Sequence, residues 1–535
     1  MVCFIKLFGH QRLTIAGGID CQLQHENWSV MNEAYTRLIE SIRDIGSLNS
    51  VTALLGWDQE LHMPPRGGES RAAQLALLSS LAHERSTSAE LGQLLDRLTR
   101  ALKIGQVPPE AAVNIRETNR AYERKRKLPC ELVEAIARTR SQGMQAWRTA
   151  RQVSNFNIFR PWLEKHIDLQ KQAADLFGYQ QEPYDALLDE YEPGMTTAQL
   201  EVLFQQLGKA IVPMLRQVVG ASVPLDQSIF SRLYPADKQK EWAQTLAQAV
   251  GFDFEAGRLD TCTHAFTETL CSDDVRMTVR CDEKNPLALT YSLMHEVGHG
   301  LYEQGLERKH QGTPMGQAVS LGVHESQSRL WENVIGRSLA FWKFALPKFK
   351  AIFTGIADDL DEVTVFRCAN IVKPSLRRLG SDEITYNLHI LLRFELERDL
   401  INGHLSVAEL PDAWNACMQK YLGLTPPNDA QGVLQDVHWS MYFVGYFPTY
   451  VLGNLYAAQI YEAAQRDLPD IEAQVAVGEF HLFREWLREK IHRHGMHYQA
   501  TELIQLVSGR PPSSDAFLNY LRRKFLNWAP GAAQG

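Results

Sequence analysis

Histidine and glutamate fall at a spacing suited to metal chemistry in Leu293-Met294-His295-Glu296-Val297-Gly298-His299-Gly300-Leu301-Tyr302. In a helix, His295 and His299 lie on one face, one turn apart. Two imidazoles so placed can hold one Zn²⁺, and Glu296 beside them can take a proton from water at the metal. A hydrolytic centre needs more than this motif. It requires a third protein ligand, donors for the charge that develops in the transition state, and an anchor for the substrate.

A third ligand is at hand in His324-Glu325-Ser326-Gln327-Ser328-Arg329, whose surroundings read as helical. Glu325 projecting from a second helix would give a His₂Glu set, and His324 is the alternative donor from the same block. Taken alone, a glutamate in such a stretch is more often a solvated helix residue. Just ahead of the motif, Val275-Arg276-Met277-Thr278-Val279-Arg280-Cys281 alternates with period two, between Asp273-Asp274 and Asn285-Pro286. This is the best strand candidate in the chain, and its edge is expected to pair with an extended peptide.

The elements that must position these groups are mostly helices. Helical patterns run over about 70–102, 110–127, 129–153, 156–178, 197–218 and 236–250, punctuated by Pro108-Pro109, Pro129 and Glu192-Pro193-Gly194. This half holds no chemical constellation and is expected to form one wall of a cleft. Residues 1–30 lack periodicity and are expected to be a poorly ordered extension. Met31 then opens an amphipathic pattern through Tyr35, Leu38, Ile39, Ile42 and Ile45. The remainder, 31–535, is expected to be one catalytic domain, with a helical wall over 31–251 and the metal site and cleft over 252–535. Repeats and low-complexity stretches are absent from the sequence.

Composition bounds the partners. The 535 residues are 45% hydrophobic and 22% charged with a net charge of -8, which argues against nucleic acid as a partner. Eight cysteines stand at positions 3, 21, 130, 262, 271, 281, 368 and 417 with no Cys-x-x-Cys pair. That spacing disfavours a disulfide framework or a cysteine zinc site and fits a reducing compartment. No apolar run approaches the ~18 residues of a membrane span. Lys6, His10, Gln11 and Arg12 interrupt any signal-like core at the N-terminus. A cytoplasmic protein is expected.

The metal motif, with Tyr302-Glu303-Gln304-Gly305 and His324-Glu325-Ser326-Gln327, resembles the carboxypeptidase Taq family of metallocarboxypeptidases. Similar segments recur at Trp57-Asp58-Gln59-Glu60, Gly257-Arg258-Leu259-Asp260, His264-Ala265-Phe266-Thr267 and Asp382-Glu383-Ile384-Thr385-Tyr386. Others are Gly432-Val433-Leu434-Gln435-Asp436-Val437-His438-Trp439 and Gly445-Tyr446-Phe447-Pro448-Thr449-Tyr450. The resemblance spans roughly Met31 to the C-terminus. It implies a mainly α fold related to neurolysin and angiotensin-converting enzyme, with a deep cleft, one small β-sheet beside the zinc helix, and a homodimer.

The resemblance also implies roles. His295, His299 and Glu325 are the implied metal ligands and Glu296 the general base, with His438 and Tyr450, and Tyr446 in reserve, as donors to the oxyanion. Arg378 in Arg377-Arg378-Leu379-Gly380-Ser381-Asp382 takes the place of the family's carboxylate-reading arginine, a task that suits a planar guanidinium fork. His264, Gln435 and Asp436 join it as substrate-binding residues. Three residues depart from the family pattern: Arg377 replaces an apolar residue, Ser381 an alanine, and Ala265 a proline. The expected activity is zinc-dependent removal of single C-terminal residues from peptides with broad side-chain tolerance, with Co²⁺ as a possible substitute metal. The alternatives are an oligopeptidase cutting internal bonds and a catalytically silent peptide-binding protein.

Overall fold

The structure, a computed structural model, describes residues 20–221 and 224–527. Most of the extension expected over 1–30 lies outside the described residues. The first helix, α1 (Asp20–Leu61), starts ahead of Met31. Its Ala34, Leu38 and Ile42 recur at helical spacing and are buried against Leu91, Leu94, Leu95 and Leu98, which makes a small core separate from the main one.

The pattern expected as one helix over 70–102 is two, α2 (Gly68–Ser86) and α3 (Ala89–Lys103). Ser88 divides them: its side chain accepts the Leu91 N–H and so caps a new helix start. The remaining wall follows the prolines. Its helices are α4 (Pro109–Arg126), α5 (Cys130–Val153), α6 (Arg160–Phe177), the short α7 (Pro183–Leu188), α8 (Thr197–Gly220) and α9 (Ala236–Val250). A capping box between Thr196 and Gln199 starts α8.

Three strands come next: β1 (Gly257–Thr261), β2 (Phe266–Cys271) and β3 (Asp274–Val279). Their order is β1-β3-β2, with β3 parallel to β1 and antiparallel to β2. The expected strand is therefore present, but the edge assigned to it is not. Because β3 is paired on both sides, with Val275, Met277 and Val279 buried, it has no free edge for a peptide. Its partners β1 and β2 were missed because they are short and carry several polar side chains. The outer edge of β2 faces α1, where the Ser50 hydroxyl donates to the Leu270 carbonyl at 2.6 Å.

The motif sits on α10 (Pro286–Gly305), whose Asn285 cap accepts the Ala288 N–H. Beyond it come α11 (Leu321–Arg329), which continues into a π-helical turn over Leu330–Ile335, then α12 (Leu339–Ile352) and α13 (Glu362–Ala369). Next are α14 (Thr385–Asn402), α15 (Leu410–Leu422) and α16 (Pro448–Asp467), and the helices continue to Leu526. Short α11 is pressed between α10 and α16, and glycines make the room. A Cβ on Gly298 of α10 would lie 2.4 Å from the Gln327 carbonyl oxygen, and one on Gly453 of α16 would lie 2.5 Å from Glu325 Cγ.

Candidate metal centre

On α10, His295 and His299 stand one turn apart with ring centroids 4.8 Å from each other. The facing α11 brings Glu325 to both: its Oε2 is 3.7 Å from His295 Nε2 and 3.6 Å from His299 Nε2. The three ligand atoms all lie within 4.8 Å of one another. Metal–ligand bonds of ~2.0–2.1 Å at tetrahedral angles place ligand atoms about 3.4 Å apart, close to the two Glu325–imidazole distances, and two imidazoles with one carboxylate are a donor set suited to a divalent ion. His324, the alternative donor, is turned away. Its Nε2 pairs with Glu303 at 2.7 Å while its ring stacks on His299 at 4.5 Å.

Behind the ligands lies a layer of charge that the sequence reading did not single out. His295 Nδ1 is 2.9 Å from Glu332 Oε2, an arrangement that fixes the ring and turns Nε2 toward the metal position. Arg329 donates to Glu325 Oε1 at 2.7 Å and to Glu332 at 3.2 Å, and Arg337 donates to Glu332 at 3.1 Å. Burial pushes the Glu325 and Glu332 carboxyls up, but Arg329 and the neighbouring imidazoles outweigh it. Glu325 is held well below the usual carboxylate range and Glu332 at about 2. Burial also pushes His299 down to about 3, which keeps its nitrogen free of a proton for ligation. A signal for these residues was present in the spacing: Arg329 lies one turn after Glu325, and Glu332 sits in the π-helical turn that follows.

Glu296 is buried on α10 beside the ligands, and burial pushes its carboxyl up. Its Oε2 accepts a hydrogen bond from Thr267 Oγ1 of β2 at 2.7 Å. The edge strand nearest the motif is therefore β2.

A loop before α16 brings His438, Tyr446 and Tyr450 together. His438 Nε2 is 3.2 Å from the Tyr450 hydroxyl, and Tyr446 stacks edge-on to Tyr450 at 5.4 Å. Burial pushes both phenols up, and the Glu325 carboxylate adds to that, so both remain protonated donors near the metal ligands. Burial, reinforced by Arg378 and Arg393, pushes His438 down to about 3 despite Asp436, so its imidazole is neutral.

Arg378 is not the open arginine that a carboxylate anchor suggests. It is 4% exposed. Its Nε and Nη2 donate to Asp436 Oδ1 at 3.0 and 2.9 Å, and its Nη1 donates to the Tyr386 hydroxyl at 3.1 Å. Arg393 donates through Nε to the other oxygen of Asp436 at 2.7 Å. Two guanidiniums share one carboxylate, which leaves the trio with one positive charge over. The guanidinium of Arg378 lies 5.0 Å from the Tyr450 ring centroid, so this charge adjoins the His438–Tyr450 pair. Gln435 is a cross-link: its Oε1 accepts the Arg378 N–H and its amide donates to the Leu376 carbonyl, both at 3.0 Å. His264 is exposed between β1 and β2, and no hydrogen bond or ring contact joins its imidazole to the metal group.

Known proteins match this arrangement along its length. The sequence pattern of the carboxypeptidase Taq (M32) metallopeptidase family covers residues 37–525. Thermostable carboxypeptidase 1 of Thermus thermophilus is 42% identical over 501 residues, spanning 92% of this chain and 98% of that protein. Carboxypeptidase 1 of Bacillus subtilis is 37% identical over 489 residues, spanning 91% and 97%. The solved structure of the Pyrococcus furiosus carboxypeptidase superposes with a TM-score of 0.89 at 35% identity, covering 92% of this chain and 99% of that one. With the fold, the His-Glu-x-x-His helix and the third carboxylate all in place, the chain belongs to the carboxypeptidase Taq (M32) family of metallopeptidases.

Proposed function

We propose that this metallocarboxypeptidase uses Zn²⁺ to release single C-terminal residues from peptides with broad side-chain tolerance, with Co²⁺ as a substitute. The observation that carries the reading is the convergence of His295, His299 and Glu325 beside a buried Glu296. His295, His299 and Glu325 would hold the ion, which supplies a Lewis acid for the scissile carbonyl and lowers the pKa of its water toward ~7.

Glu296 takes the proton from the attacking water and returns it to the leaving amine. Its raised proton affinity suits both transfers. Thr267 holds the carboxylate through Oε2. As oxyanion forms on the carbonyl, Tyr450 and His438 donate to it, with Tyr446 next to them. The surplus positive charge of Arg378, Arg393 and Asp436 favours a substrate that ends in a carboxylate, and Arg378 keeps N–H donors beyond the three already engaged. His264 and Gln435 contribute as a flanking side chain and as the residue that fixes Arg378.

The family resemblance supports a homodimer, and the cysteine spacing supports a reducing, cytoplasmic setting. Among the described residues, no helix is long and apolar enough to cross a membrane.

Glu296→Gln tests the chemistry. Full metal content by elemental analysis with loss of peptidase activity is the expected result. Retained activity would overturn the assignment of Glu296 as base.

A further inference from the structure

One buried acid outside the metal centre is committed to the loop that carries His438 and Tyr446. Glu397 of α14 is fully buried. Its Oε1 accepts the indole N–H of Trp439 at 2.8 Å, and its Oε2 accepts the Gly445 N–H at 3.0 Å and the Tyr184 hydroxyl at 2.8 Å. The two loop donors therefore belong to the residue just after His438 and the residue just before Tyr446. No arginine or lysine forms an ion pair with this carboxylate among the described residues. One turn earlier on the same helix, Arg393 holds Asp436, two residues before His438.

The loop between these ties has little freedom of its own to offer. Tyr442 takes a left-handed backbone at φ 69°, uncommon for a residue with a side chain, and Gly445 does so at φ 87°. A Cβ on Gly445 would lie 3.0 Å from the Leu187 and Leu188 backbone. Such a conformation persists only where the surroundings impose it, and the bonds from Glu397 close its two ends onto α14 and α7.

We propose that Glu397 is a positioning residue for the reaction: its carboxylate sets the separation of His438 and Tyr446 by holding Trp439 and Gly445 at fixed points. This rests on the reading of His438 and the tyrosines as oxyanion donors. Displacing such donors by about 1 Å is enough to lower turnover by roughly 10²-fold without displacing the metal. In Glu397→Gln the amide NH₂ must face either the indole N–H or the Gly445 N–H, so one tie is broken whichever way it turns.

The test measures kcat, KM and metal content of the zinc-loaded enzyme on one N-blocked dipeptide. For Glu397→Gln the expected result is one metal per chain, KM within about 3-fold of wild type and kcat lower by about 30–100-fold. Wild-type kcat in folded, metal-loaded Glu397→Gln, with only the melting temperature lowered, would overturn the proposal. Should Glu397→Gln fail to fold, Trp439→Phe alone is expected to lower kcat several-fold with metal retained, and unchanged kcat there would overturn it too. His438→Gln separates this from the underlying reading. If that variant loses turnover while Glu397→Gln does not, only the positioning role falls. If His438→Gln keeps full turnover, the oxyanion reading falls and the positioning role with it.

Discussion

Gly453 of α16 lies directly against the side chain of Glu325, so close that a single added methyl group would come within 2.5 Å of Glu325 Cγ. The third ligand of the metal group thus depends on a residue with no chemistry of its own. Gly453→Ala is expected to push Glu325 away from His295 and His299 and to weaken metal binding by at least ~10-fold. Competition with a chelator of known affinity measures this. Gly298→Ala meets backbone atoms of Gln327 and Ser328 instead, and overpacking of this kind should cost about 1–3 kcal/mol and lower the melting temperature.

Glu332 should matter to the metal although it is not a ligand. It orients His295 and is itself held by Arg329 and Arg337. Glu332→Gln is expected to weaken metal affinity by ~10–100-fold while leaving the helical circular dichroism unchanged. The same chelator competition is the check.

In the buried trio, the two kinds of substitution should separate. Arg378→Ala leaves Asp436 paired with Arg393, so the fold should survive, and the expected effect is a raised KM for peptides with a free C-terminus. Asp436→Asn strands two buried guanidiniums, and breaking a buried pair in this way typically costs about 3–5 kcal/mol. Thermal unfolding should therefore rank Asp436→Asn well below Arg378→Ala.

A pH effect on stability is expected from Glu192. It is fully buried and accepts hydrogen bonds from the Gly322 N–H and the Tyr456 hydroxyl, both at 3.0 Å, at the start of the helix that carries Glu325. Burial pushes its carboxyl up to about 7, against 4.5 as the ordinary value. Between those values the folded state binds the extra proton. Its contribution is therefore complete below pH 4.5 and is lost as pH rises through 7, by about 1.4 kcal/mol per unit. Against Glu192→Gln, which cannot titrate, the melting temperature of the wild type should fall progressively from pH 5 to 8. A constant difference would contradict the shift.

The metal helix was legible because its information is local: two histidines one turn apart need nothing but a helix. Glu325 is different, since only packing brings α11 onto α10, and residue spacing alone left His324 open as the alternative donor. Family resemblance chose between them, and the rotation of His324 onto Glu303 supplies the physical reason. Tertiary contacts hid the rest. Gly298 and Gly453 read as ordinary helix residues until a third helix is placed between them, and the burial of Arg378 under Tyr386 and Asp436 leaves no mark on the sequence. Alternation located β3 correctly but said nothing about its neighbours, and the half-polar β1 and β2 took both of its edges.

The most direct measurement is mass spectrometry of products from one peptide offered with a free and with an amidated C-terminus, with and without chelator. Stepwise loss of single residues from the free form, little cleavage of the amide, and no cleavage with chelator is the expected result. Undiminished or internal cleavage of the amidated peptide would contradict a site that reads the chain end through Arg378.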